Sequence, residues 1–238
     1  MQMKGPIMKM NVLFGSAIVF LTPLFAAQAG PADDVTAATQ KLSGESSYSW
    51  HTTTIVPADS QYHPGPTDGK TAGGVTYVKM NFRGNDSEIY MKGTNAVMTD
   101  PDGGWQTLAE ASQDDQGPGR FMTMMVRNFR TPAKQAADLV ADCKDLTLTN
   151  GAYSSELTPD GAKKMLSFRR GGQANVSNPS GTATFWITNG ELTKFETHVK
   201  GTVTFNGNDN DVDRDITVEI KDVGTTKIDV PDDVAKKM

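Results

Sequence analysis

Between residues 181 and 231 apolar and polar side chains alternate with a period of two, the signature of half-buried antiparallel strands. Asn189-Gly190 divides two β-prone runs, and a type I′ hairpin turn uses positive φ at both of its central residues. Beyond that turn Phe195, Val199, Val203 and Phe205 fall on one side, with Glu196, His198, Lys200, Thr202 and Thr204 on the other. A third run sets Ile216, Val218 and Ile220 against Asp215, Thr217, Glu219 and Lys221. A fourth, shorter strand is expected at 227–230, closed by Pro231. At about 3.3 Å per residue the run 191–205 would span on the order of 50 Å, longer than a usual strand, and Gly201 is a natural place for it to bend. A two-residue loop at Asn189-Gly190 puts Ile187 opposite Leu192 and Trp186 opposite Thr193, so apolar bulk lies on both faces there. A long, bent sheet covered on both faces predicts a curved open barrel rather than a flat sheet.

Upstream, residues 31–42 predict a short helix with Asp33 as N-cap, Val35, Ala38 and Leu42 on one face, and Gly44 ending it. A strand is expected at 46–56, with Tyr48 and Trp50 on one side and His51, Thr53 and Ile55 on the other. Residues 57–74 hold prolines and glycines without periodicity and read as a long exposed loop. Strands are expected again at 75–82, 87–92, 96–99 and 105–108. At 120–129 the period changes: Met122, Met125, Val126 and Phe129 share a helical face, leaving Arg120, Thr123, Arg127 and Arg130 toward solvent or a cavity rim. Thr131-Pro132 and Thr158-Pro159 each open a further helix, because proline suits the first helical position. Between those helices Asn150-Gly151 marks another hairpin. Residues 169–180 read as a polar link, with Arg169-Arg170 in a solvated turn. No linker separates two cores, so 30–238 is expected to be a single domain.

Charge and composition narrow the function classes. Lys4 and Lys9 precede an apolar run at 12–25, and Ala27-Gln28-Ala29 follows, so 1–29 reads as a secretory signal peptide. Cys143 is the only cysteine, which leaves no lipidation site at the cleavage point and no intramolecular disulfide. The expected protein is therefore exported, periplasmic or secreted, without a stable membrane anchor. A net charge of −5 argues against nucleic acid as a partner. His51, His63 and His198 are too scattered for a zinc set, and no nucleophile elbow, phosphate loop or metalloprotease helix occurs. Asp209, Asp211 and Asp213 alternate like the start of a calcium loop, but Arg214 stands where its glycine belongs and Ile220 where its glutamate belongs. They read as an acidic hairpin loop. No cofactor, metal or catalytic residue is expected.

Two segments, A-T-Q-K-L-S-G-E-S-S-Y-S-W at 38–50 and I-T-V-E-I-K-D-V-G-T-T-K-I-D-V-P at 216–231, carry a resemblance. The chain resembles the lipoprotein-carrier superfamily, which includes periplasmic lipoprotein-sorting carriers and mycobacterial lipid-binding lipoproteins. The resemblance implies an α+β fold: a curved, half-open antiparallel β-barrel whose helices close the concave side over an apolar cavity. The implied partner is a lipid, an acyl chain or a lipoprotein, and the implied activity is binding without catalysis. Trp50, Phe121, Met122, Met125, Val126, Phe129, Trp186 and Phe195 are the residues expected to touch it. The other reading is a structural or protein-interaction module of the cell envelope with a filled core.

Overall fold

The computed structural model of the chain describes residues 1–2, 30–60, 63–82, 84–100, 102–113, 118–167, 175–205 and 207–238. The signal-peptide reading therefore lies outside the described residues, as do Arg169-Arg170 and the side chains of Arg120, Phe121 and Phe205. Among the described residues no helix is long and apolar enough to cross a membrane.

The chain opens with α1 (Pro31–Gly44) and β1 (Ser47–Ile55). A meander follows: β2 (Thr67–Ala72), β3 (Val75–Phe82), β4 (Asn85–Lys92), β5 (Asn95–Thr99) and β6 (Trp105–Thr107). Three helices come next, α2 (Leu108–Ala111), α3 (Pro118–Arg127) and α4 (Pro132–Ala141), then the hairpin β7 (Thr147–Thr149) and β8 (Ala152–Glu156), then α5 (Pro159–Ser167). The long strands β9 (Asn175–Thr188), β10 (Glu191–Phe205) and β11 (Asn208–Lys221) lead to α6 (Asp232–Ala235). All eleven strands join one antiparallel sheet in the order β6-β5-β4-β3-β2-β1-β11-β10-β9-β8-β7. The sheet stays open, a curved α+β half-barrel with six helices among the described residues. The first strand thus closes onto the last, while each half of the sheet is built from local hairpins.

One core fills the concave side. Val35, Ala38 and Leu42 of α1, Ala133, Ala136 and Leu139 of α4, and Ala162 and Leu166 of α5 meet Trp50, Ile89, Phe185, Phe195 and Val218 from the sheet. Two bends help the sheet curve around them. Pairing between β9 and β10 shifts register between Leu192 and Lys194 and again between Lys200 and Thr202. At the second bulge a Cβ on Gly201 would lie 2.8 Å from Leu166 Cδ1 and 3.1 Å from the Ser177 carbonyl oxygen, so glycine eases the close approach of α5 and β9. The first bulge corrects one expected pair: Ile187 does face Leu192, but Trp186 faces Lys194 rather than Thr193.

Five further expectations change. Within the 57–74 loop Thr67–Ala72 is a strand, paired on both sides although its sequence, TDGKTA, has no apolar period. Its one core-facing necessity is the absence of a side chain at Gly69, where the Trp50 indole lies. Residues 175–180 extend β9 across the expected polar link, because β10 is long enough to pair with Val176 and Ser177 beyond the Gly201 bulge. The acidic stretch is no loop, since Asp209, Asp211 and Asp213 pair with Thr204, Thr202 and Lys200 in the ladder between β11 and β10. Asp209 and Asp211 accept hydrogen bonds from Thr204 and Thr202 across the ladder, at 2.6 and 2.8 Å. Asp33 is not the N-cap of α1: Gly30 is, and its amide donates to the Asp33 carboxylate at 2.9 Å.

The fifth correction is the expected strand at 227–230. Both edges of β11 are already taken, by β10 and β1, so no ladder is open to it. The segment instead crosses the sheet's outer face, where Ile228, Val230, Val234 and Met238 cover Tyr77, Tyr90, Val97 and Trp105 in a second small core.

Candidate functional site

An open cleft of about 690 Å³ runs between the last turn of α3 and the start of α4 on one side and the ends of β3 and β4 on the other. Its apolar floor is Met91, Leu108, Val126 and Phe129. Three cations, Arg127, Arg130 and Lys134, stand on its rim, and no carboxylate appears among its described lining residues.

Each wall is held by local chemistry. Leu108 opens α2, a four-residue helix that persists through reciprocal capping: the Thr107 amide donates to Glu110 Oε2 at 2.6 Å and the Glu110 amide to Thr107 Oγ1 at 3.1 Å. The other wall depends on where α4 begins. Thr131 is its N-cap residue, yet its side chain does not cap. The Tyr48 phenol of β1 is buried beside that point: burial raises its pKa, while the Thr131 side chain and the Ala133 backbone act in the opposite direction. Trp50, 5% exposed and tilted against Tyr48 at 5.8 Å, supports Phe129 from behind at 6.3 Å between ring centroids.

The expected ligand-touching residues whose side chains are described fall in four places. Val126 and Phe129 line the cleft. Trp50, Met122 and Met125 stand behind it in the core, Met122 at 8% exposure. Phe195 packs on Phe185 at 6.4 Å in the far half of the sheet. Trp186, by the alternation of β9, lies on the opposite face, where Lys194 Nζ sits 3.6 Å above its ring. Thr123, expected toward solvent, is only 7% exposed, and its hydroxyl has no hydrogen-bond partner among the described residues. Sequence reasoning missed Met91, Leu108 and Lys134. Met91 was readable as the inward neighbour of Ile89 in β4, whereas nothing local marks a lysine as a cleft residue.

The rim cations are not independent. Arg130 Nη1 lies 2.6 Å from Asp138 Oδ2, and Lys134 pairs with the other oxygen of the same carboxylate. Partial burial works to raise the Asp138 carboxyl, but Lys134 and Arg130 outweigh it and hold it below its ordinary 3.8. Because the folded group titrates below its unfolded value, the contribution is complete above the ordinary carboxylate range and is lost as pH falls through the depressed value. Urea unfolding at stepped pH should therefore show the wild type losing its advantage over Asp138→Asn below about pH 4. Parallel pH profiles for the two proteins would contradict this assignment.

Cys143 offers little as a nucleophile. Burial pushes its thiol up to about 11, with the Asp142 charge adding to that and a Ser155 hydrogen bond opposing it, so almost no thiolate forms near neutrality. His198 bridges Asp215 at 2.7 Å and Asp213 at 3.5 Å on the outer face of the sheet, away from the cleft. Among the described residues no three metal-ligating side chains converge.

No protein-family model and no curated protein matches the chain. Among solved structures the chain is similar to the Mycobacterium tuberculosis lipoprotein LppX, with 12% identity over 84% of this chain and 98% of that one, at a TM-score of 0.45. It is also similar to LprF from Mycobacterium bovis, with 12% identity over 86% of this chain and 97% of that one, at the same TM-score of 0.45.

Proposed function

We propose that the protein is an exported, non-catalytic binder of an acyl chain or lipid, held in the cleft beside α3. The observation that carries this reading is a cleft of about 690 Å³ with an apolar floor, within the roughly 300–1,000 Å³ common to small-molecule sites. Methionine on the overhanging helix supports it too. Met122 and Met125 are unbranched and polarizable, so they repack at little cost when a chain enters beside them. Export to the periplasm or beyond follows from the leader-like N-terminus, and mature protein recovered from that compartment should begin at Gly30.

Native mass spectrometry followed by organic extraction of the purified protein should yield a bound lipid. An apolar fluorophore such as phenylnaphthylamine should be taken up, and Val126→Asp should weaken uptake at least about tenfold, since an unpaired charge on an apolar wall is costly to cover. An empty extract together with no uptake would return the protein to the interaction-module reading. Equal uptake by wild type and Val126→Asp would move the ligand out of this cleft.

A further inference from the structure

The rim of the cleft has the opposite charge from the rest of the molecule. The chain carries a net −5, and β11 presents Asp209, Asp211, Asp213, Asp215 and Glu219 on the outer face. The cleft instead collects Arg127, Arg130 and Lys134, with no carboxylate among its described lining residues. Helix stabilisation accounts for one of these cations only. Arg127 ends α3, where a positive charge suits the helix dipole, but Lys134 lies in the first turn of α4, where it opposes the dipole. Asp138 answers Lys134 and Arg130 together with a single negative charge. The rim is thus left with an excess of positive charge directly above an apolar floor.

We infer that the cleft selects an anionic amphiphile: a single alkyl chain on Met91, Leu108, Val126 and Phe129, with a phosphate or carboxylate head at Arg127, Arg130 and Lys134. This rests on the carrier reading and adds the chemistry of the head group to it. Arg127 meets the head directly, while Arg130 and Lys134 share it with Asp138. Guanidinium groups suit oxyanions because their planar donors can bind two oxygens at once.

The test is displacement of bound phenylnaphthylamine from the full chain by dodecyl phosphate, laurate and dodecanol at neutral pH. Both anions should displace at about tenfold lower concentration than the alcohol, the difference expected from one good charge-assisted hydrogen bond. The advantage should shrink as salt rises from about 0.05 to 0.5 M, because the rim is open to solvent. Arg127→Gln with Lys134→Gln should erase it, whereas Asp138→Asn should enlarge it by releasing both partners. Normal uptake with dodecanol as potent as the anions, or an anion preference that survives the double variant, would overturn the inference and leave the carrier reading intact. No fluorophore uptake at all would overturn both. Sedimentation with phosphatidylglycerol vesicles but not phosphatidylcholine vesicles, without head-group preference in displacement, would assign the rim to a bilayer surface and also overturn it.

Discussion

Gly69→Val is expected to unfold the cleft's support before it harms anything else. A Cβ at this position would lie 2.0 Å from Trp50 Cε2 and Cζ2, well inside any contact distance. The indole cannot simply swing away, because Tyr48 and Phe129 hold its other sides and the ring is buried. Overpacking a well-filled core costs about 1–3 kcal/mol, and so large an overlap at a full aromatic ring belongs at the upper end of that range. Unfolding in urea should show a loss of about 3 kcal/mol, with a red shift of tryptophan emission in the protein that remains folded. Displacing Trp50 also removes the backing of Phe129, so fluorophore uptake should fall in the same variant. Trp50→Phe in the Gly69→Val background should recover part of the stability by vacating the space. A Gly69→Val protein as stable as wild type would mean that β2 does not lie across Trp50.

The same glycine shows why β2 was illegible. A strand is read from alternating apolar residues, and TDGKTA has none: Gly69 faces the core by contributing nothing, and the filling comes from Trp50 on the neighbouring strand. The long strands were legible because Phe195, Val199 and Val203 state their own burial, and Asn189-Gly190 and Asn150-Gly151 state their own turns, with φ of 53° and 75° and of 52° and 80°. The 227–230 segment has the composition of a strand but lacks an edge to join. That fact belongs to the sheet order, which places β1 beside β11, and is absent from the local sequence. The cleft divides in the same way. Val126 and Phe129 follow from the helical period, whereas Met91 and Lys134 meet them only because β4 and α4 converge there in three dimensions. Trp186 and Phe195 are separated from them by the strand alternation, which turns Trp186 to the other face, and by the width of the sheet, which sets Phe195 against Phe185.

Phe185→Ala is expected to give the largest stability loss and, at the same time, to spare the cleft. Phe185 is fully buried in β9, stacked obliquely on Phe195 at 6.4 Å, under the helices that cover the far half of the sheet. Removing a buried phenyl ring forfeits its transfer free energy and leaves a cavity that a hydrogen-bonded ladder cannot collapse to fill, about 3–5 kcal/mol in all. Met125→Ala provides the contrast. Met125 is only half-buried, one layer behind the cleft wall, so its truncation should cost clearly less than the roughly 2–5 kcal/mol of an enclosed methionine. Fluorophore uptake should respond in the reverse order, unchanged in folded Phe185→Ala and altered in Met125→Ala. Both are measured on one pair of proteins, by urea unfolding and by titration at a temperature where each remains native. Loss of uptake in native Phe185→Ala would extend the binding cavity beneath α5 and β9, and a Met125→Ala cost equal to an enclosed core residue would make α3 a fixed part of the core rather than a cover over the cleft.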